Sequence, residues 1–249
     1  MNFSANLGFL WAELSLPDAI RAAKAAGFDA VECHWPYDTP AEDVAAALRE
    51  TGLPMLGLNT SRGNVAAGDN GLAAIPTRVD EARAAIDQAI AYAETVNAGA
   101  IHVMCGFAKG ADAHDIFVSN LGYACENTDR TIVIEPLNRH DAPGYFLTTT
   151  DQARAIITEV NAPNLKLMFD CYHVGRTEGD VTTRLTDLRD VIGHIQFASV
   201  PTRGAPDQGE LNYRAVFDHI AGMGWDAPLG AEYKPGGQTE PTLGWMTNV

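Results

Sequence analysis

Two hydrophobic rhythms alternate along this chain. Short, mostly apolar runs of strand length are separated by stretches whose apolar residues recur every three or four positions, the helical period. The first run, residues 3–7, leads to a helix announced by Ser15 as N-cap, with Pro17 and Asp18 in its first turn. Ile20, Ala23 and Ala26 form that helix's apolar stripe, and Gly27 stops it. Residues 29–33 make the second strand. Thr39, with Pro40 next and Glu42 three residues on, predicts a capping box for a helix ending at Gly52. Residues 54–60 make the third strand. The Gly- and Asn-rich stretch 61–76 is too long for a plain connector and reads as a candidate active-site loop.

Val79, Ala82, Ile86, Ala89, Ile90, Ala93 and Val96 then mark a long amphipathic helix. The fourth strand is 100–104, with a helix over 116–126 behind it. The fifth begins at Thr131 and ends on Glu135, before Pro136. Thr149, with Gln152 three residues on, caps a helix with the stripe Ala153, Ile156, Ile157 and Val160. The sixth strand ends at Asp170 and the seventh at Gln196, with a short helix near 181–190 between them. A helix over 213–223 is closed by Gly224, the eighth strand ends at Glu232, and 240–249 reads as a final half-helix. Residues 26–32 and 223–227 share one joint: helix, Gly, aromatic, Asp, strand.

Eight strands alternating with about eight helices in roughly 250 residues predict an α/β fold, a single-domain (β/α)8 TIM barrel over 1–249. A doubly wound open sheet is the runner-up, but it calls for a Gly-rich turn after the first strand, and no GxGxxG occurs. In a parallel barrel the C-terminal strand ends converge on one mouth. Glu135, Asp170, Gln196 and Glu232 each end a run, so they would share that mouth. An isolated carboxylate at the rim of a core costs several kcal/mol of desolvation, so it is normally paired with a base or a metal. Three carboxylates and an amide oxygen are hard ligands, suited to Mg2+ or Mn2+ rather than zinc.

Composition narrows the partners. The 17 basic and 32 acidic residues give a net charge of −15, which repels phosphate backbones and argues against nucleic acid. Cys33, Cys105, Cys125 and Cys171 are scattered without CxxC spacing, as expected of free thiols in a reducing cytoplasm. No basic leader precedes residue 6 and no run of about 18 apolar residues exists, so no membrane is expected and the location reads as cytoplasmic.

Longer motifs carry a resemblance. Ile134-Glu135-Pro136-Leu137-Asn138, Pro143-Gly144-Tyr145-Phe146-Leu147 and Phe169-Asp170-Cys171-Tyr172-His173 resemble the hydroxypyruvate isomerase family of xylose-isomerase-like barrels. So do 193–198 with Pro201-Thr202-Arg203, 209–213, 232–235, Asn64 to Asp69 and Leu243-Gly244-Trp245. The resemblance implies a metal-dependent 1,2-proton shift with Glu135 and Glu232 as acid/base pair, and Glu135, Asp170, Gln196 and Glu232 around the metal. Gln196 departs from the related epimerases, which resemble this chain but carry His there. His173 resembles a substrate-contacting histidine, with orientation of Asp170 as its other reading, and Arg203 a substrate-carboxylate grip. Arg62 is either a second anion contact or a solvated charge. Glu32, His34 and His102 either line the pocket or serve packing. His194 lies on the face of Gln196, one step deeper. Lys234 and Cys171 alternate away from the pocket.

The resulting expectation is an isomerase of a small hydroxy-oxo acid, hydroxypyruvate to tartronate semialdehyde first. A 2-oxo-tetronate isomerase or a ketose epimerase is the close alternative. A metal-dependent endonuclease and a non-catalytic sugar-acid binder are the alternatives from other classes. Association into a homo-oligomer is a further implication of the resemblance.

Overall fold

The structure is a computed structural model that describes residues 1–247. Its strands are β1 (Phe3–Asn6), β2 (Ala30–Glu32), β3 (Gly57–Asn59), β4 (Ala100–His102), β5 (Thr131–Ile134), β6 (Leu165–Asp170), β7 (Ile192–Phe197) and β8 (Leu229–Ala231). Neighbouring strands pair in parallel, in the order β2-β1-β8-β7-β6-β5-β4-β3. The two ends of that order meet. Val31 pairs with Met55, Leu56 N donates to Val31 O at 2.7 Å and Asn59 N to His34 O at 2.8 Å, so the sheet closes into a barrel.

The helices are α1 (Leu16–Ala25), α2 (Ala41–Thr51), α3 (Val79–Val96), α4 (Ala111–Glu126), α5 (Thr150–Val160), α6 (Cys171–Thr177), α7 (Val181–Asp187) and α8 (Tyr213–Gly222). Ser15 and Thr149 cap α1 and α5 as the sequence predicts, their hydroxyls accepting from Asp18 N and Gln152 N. The Thr39 capping box does not form. Pro40 is the N-cap of α2 without a side-chain bond, and the Thr39 carbonyl accepts from Tyr92 Oη at 3.0 Å. Helix α4 begins at Ala111, ahead of the predicted start at residue 116. The stretch after Asp170 forms helix α6, which the sequence pattern does not mark, and Asp170 caps it, its Oδ1 accepting from Tyr172 N at 2.8 Å. The tail forms a 3-10 helix over Glu240–Thr247, and the remainder of the expected 240–249 half-helix lies outside the described residues.

The repeated joint has a common cause. Gly27 and Gly224 take φ of 91° and 73°, and Phe28 N and Trp225 N reach back to Ala23 O and Ile220 O. That 6→1 bond after a left-handed residue is a Schellman closure, which glycine adopts without a Cβ penalty.

Period-two alternation sorts the barrel. Phe3, Phe197, Phe217 and Trp245 pack together outside the strands, with Phe3 and Trp245 ring centroids 4.9 Å apart. The opposite faces put Asn6, Glu32, His102, Asp170 and Gln196 inside, all buried. The barrel interior is therefore polar toward its mouth. Cys33, Cys105 and Cys171 are buried free thiols and Cys125 a half-buried one. Among the described residues no helix is long and apolar enough to cross a membrane.

Candidate active site

The mouth holds a cavity of about 170 Å3 whose lining includes Glu135, His173, Arg203, Glu232, His34 and Trp35. Glu135 and Glu232 thus meet at one site although 97 positions separate them in the chain. Asp170 and Gln196 are register partners on neighbouring strands, and Gln196 is in turn the partner of Gly230 on β8. Parallel pairing puts their side chains on the same inner face, which gathers the four strand-end residues.

Their surroundings differ sharply. Glu232 is densely satisfied: Oε1 accepts from Asn6 Nδ2 at 3.0 Å and meets His34 Nε2 at 2.8 Å, while Oε2 accepts from Arg203 Nη2. Burial works against ionisation of Glu232, but Arg203 and His34 outweigh it and hold the carboxyl well below the usual range. Glu135 has no such partners. Its Oε1 is buried without a hydrogen bond, and His173 Nε2 and His102 Nδ1 stand off at 3.8 and 3.6 Å from its two oxygens. Burial, then the charges of Glu232 and Asp170, push Glu135 well above the usual carboxylate range. Burial and the charge of Glu232 likewise raise Asp170, to about 7. Its Oδ2 has no hydrogen-bond donor, with Arg203 Nη2 and His173 Nε2 each 3.7 Å away.

Gln196 gives its amide nitrogen to Glu32 Oε1 at 2.7 Å and leaves its own Oε1 buried with no partner. Three acceptors, Glu135 Oε1, Asp170 Oδ2 and Gln196 Oε1, are therefore buried with no hydrogen-bond donor; Glu135 lines the mouth cavity, while Gln196 lines a second cavity inside the barrel with Asn6, Glu32 and His194. Such groups cost free energy unless something positive meets them.

Glu135, Asp170 and His173 each offer one ligand atom, all within 4.8 Å of one another, so this buried cluster could hold a metal. The hydrogen bonds of His173 argue for a different part. Its Nδ1 accepts from Asn138 N at 2.9 Å and faces Asn138 Nδ2 at 2.8 Å. The Asn138 amide cannot turn over, because its Oδ1 accepts from His140 N and Asp141 N, each at 3.0 Å. With Nδ1 an acceptor, the proton of the neutral ring sits on Nε2, which points into the mouth as a donor. Burial, with Arg203 nearby, lowers His173 to about 3 and keeps it neutral.

Arg203 takes φ of 56°, an uncommon backbone state for a residue with a side chain. From there its guanidinium lies 4.9 Å from the Phe9 ring and 5.0 Å from the Tyr172 ring, and Nη2 donates to Glu232. Arg62 stacks on Trp35 at 3.7 Å. His194 Nε2 meets Glu32 Oε2 at 2.8 Å. Lys234 is exposed, away from the carboxylates, its Nζ 6.0 Å from the Phe9 ring. The 61–76 loop closes on the mouth at Asn70, and Gly71 pairs with Cys105 so closely that a Cβ there would lie 2.6 Å from Met104 O.

Asn6, Asn138, Phe9 and Trp35 are site residues that the sequence does not single out individually. Asn6 carries a legible signal, since it too is an oxygen-bearing side chain at the end of a short apolar strand. Asn138 ends the 134–138 motif, but nothing there shows its role, because its partner His173 is 35 residues away.

Comparisons with known proteins agree with the fold. Residues 20–249 match the family model described as xylose isomerase-like TIM barrel. The chain is similar to 2-oxo-tetronate isomerase of Cupriavidus necator, 42% identical with 98% of this chain and 96% of that protein covered. It is also similar to hydroxypyruvate isomerase of Escherichia coli, 37% identical over 99% of this chain and 98% of the relative. A crystal structure described as AP endonuclease, family 2, from Brucella melitensis superposes with a TM-score of 0.95 at 35% identity, covering 99% of this chain and 98% of that one. Fold, strand-end chemistry and likeness over nearly the whole length converge, and the chain belongs to the hydroxypyruvate isomerase family of xylose isomerase-like TIM barrels.

Proposed function

We propose that this protein isomerises a small hydroxy-oxo acid by moving a proton between adjacent carbons, with hydroxypyruvate and tartronate semialdehyde as the leading pair. One observation carries the reading: two buried glutamates, Glu135 and Glu232, face a single small cavity that also holds Arg203. A cavity of about 170 Å3 suits a three- or four-carbon acid and is small beside sites for drug-sized ligands.

Glu135, Asp170 and Gln196 would hold a divalent cation, Mg2+ or Mn2+, with Glu232 beside them still bonded to Asn6, His34 and Arg203. The unpartnered oxygens Glu135 Oε1, Asp170 Oδ2 and Gln196 Oε1 fit that role, being hard, buried and without a donor. When bound, the cation supplies positive charge beside the reacting oxygens, polarising the carbonyl and offsetting charge that develops there. The chain's own groups do the rest. Glu135 and Glu232 remove the proton next to the carbonyl and return it one carbon away, a transfer that requires each to come within hydrogen-bond reach of its carbon's hydrogen. His173 offers Nε2–H to a substrate oxygen. Arg203 turns its unpartnered edge, including the buried Nε, toward the substrate carboxylate while Nη2 stays on Glu232. Phe9 and Tyr172 keep that guanidinium plane in place.

Purified protein with Mg2+ and hydroxypyruvate in D2O should place deuterium at the carbon that exchanges, seen by NMR. No exchange with this substrate or with a 2-oxo-tetronate would sink the proposal. Ranking the two acids against a neutral ketose separates the acid isomerases from an epimerase. Glu232→Gln should abolish exchange while substrate still binds, which a non-catalytic binder would not show. The Brucella protein's description names an endonuclease, yet a net charge of −15 disfavours a phosphate backbone as the ligand here.

A further inference from the structure

Glu32 lies inside the barrel, and the proton transfer gives it no task. Its Oε1 accepts from Asn6 Nδ2 at 3.0 Å and from Gln196 Nε2 at 2.7 Å, and its Oε2 meets His194 Nε2 at 2.8 Å. A primary amide has a donating end and an accepting end, and only the donating end can face a carboxylate oxygen. Glu32 therefore decides which way Gln196 is turned. The nitrogen goes to Glu32, and the oxygen is left buried on the far side with no protein donor. The Asn6 amide nitrogen that reaches Glu32 also reaches Glu232 Oε1 at 3.0 Å, so one carboxylate orders two of the four strand ends.

The neighbouring strand β8 is shaped around this contact. A Cβ at Gly230 would lie 2.6 and 2.7 Å from the two Glu32 oxygens and 2.8 Å from Gln196 Cγ. Glycine on β8 is what leaves room for the pair.

We infer that Glu32 is a positioning residue that sets the polarity of the cation site, turning the Gln196 oxygen rather than its nitrogen toward the strand-end carboxylates. The inference rests on the cation site of the proposed function. With Glu32 neutralised to an amide, Gln196 is free to present either end, and an NH2 group aimed at the site repels a cation.

Isothermal titration of Mn2+ alone into metal-free protein tests this without turnover. Wild type should bind, and Glu32→Gln should bind about tenfold or more weakly, the usual effect of removing a group that orients a ligand. The exchange Glu32→Gln with Gln196→Glu should regain most of the affinity, because a carboxylate at 196 offers oxygen in either orientation and the amide at 32 can donate to it. Circular dichroism establishes that each variant is folded; if Glu32→Gln alone is not, the double exchange is compared with wild type, and a folded double variant that binds tenfold or more weakly overturns the inference. Unchanged affinity in Glu32→Gln overturns the inference and leaves the cation site standing. So does a double exchange no tighter than the single variant. Wild-type protein that takes up no Mn2+ removes the cation site and the inference together.

Discussion

The backbone N–H of Asn138 donates to Nδ1 of His173 at 2.9 Å, and this one bond decides what the histidine can do. It places the ring proton on Nε2, so His173 enters the mouth as a donor, which the proposed function directs to a substrate oxygen. His173→Ala should lower kcat/KM about a hundredfold, comparable to losing one donor at a developing negative charge, while Mn2+ affinity stays unchanged. A parallel loss of Mn2+ binding in calorimetry would make it a ligand instead.

The cation should bind more tightly as pH rises. Asp170 is raised to about 7, and Glu135 is also raised, chiefly by burial. A carboxylate with a raised pKa still carries its proton at about pH 6 and has to release it before it can hold a cation. Mn2+ affinity should therefore climb between about pH 6 and 8 with net proton release, measured by titration in buffers of different ionisation enthalpy. A flat profile would contradict the ligand roles of both residues.

Replacing Arg203 should discriminate between substrates. Arg203→Lys keeps a charge but loses the flat fork lying beside Phe9 and Tyr172. We expect KM for hydroxypyruvate to rise tenfold or more, on the order of 1.4 kcal/mol per factor of ten, with a smaller change for a neutral ketose. Equal losses on both substrates would mean that Arg203 serves Glu232 and not the acid group.

Trp245 ties the last helical segment to the first strand. It is fully buried against Phe3, Phe197 and Phe28. Trp245→Ala should cost about 3–5 kcal/mol, read as a lower urea midpoint. A loss under about 1 kcal/mol would show that the segment is dispensable to the fold.

Much of the candidate site is legible in the sequence. Glu135, Asp170, Gln196 and Glu232 each close an apolar run, and a parallel barrel necessarily brings such ends together. Helix α6 is harder to see, because its cap, Asp170, reads equally well as a ligand, and its seven residues are too few to show a stripe. Thr39 has capping chemistry, but local spacing says nothing of Tyr92, whose hydroxyl meets the Thr39 carbonyl 53 residues away in sequence. The placing of Arg203 on Glu232 depends on a left-handed turn at a residue type that rarely adopts one. Sequence patterns report periodicity well; they report side chains meeting across loops poorly.

The polar lining inside the barrel limits how this enzyme can vary. In a hydrocarbon core one side chain can be traded for another of equal bulk. Here Asn6 on β1, Glu32 on β2, and His194 and Gln196 on β7 are joined donor to acceptor, and Gly230 on β8 makes room for them. A change at any one of them strands its neighbour's hydrogen or lone pair. Diversification of this lining should therefore proceed by matched exchanges on separate strands rather than by single steps.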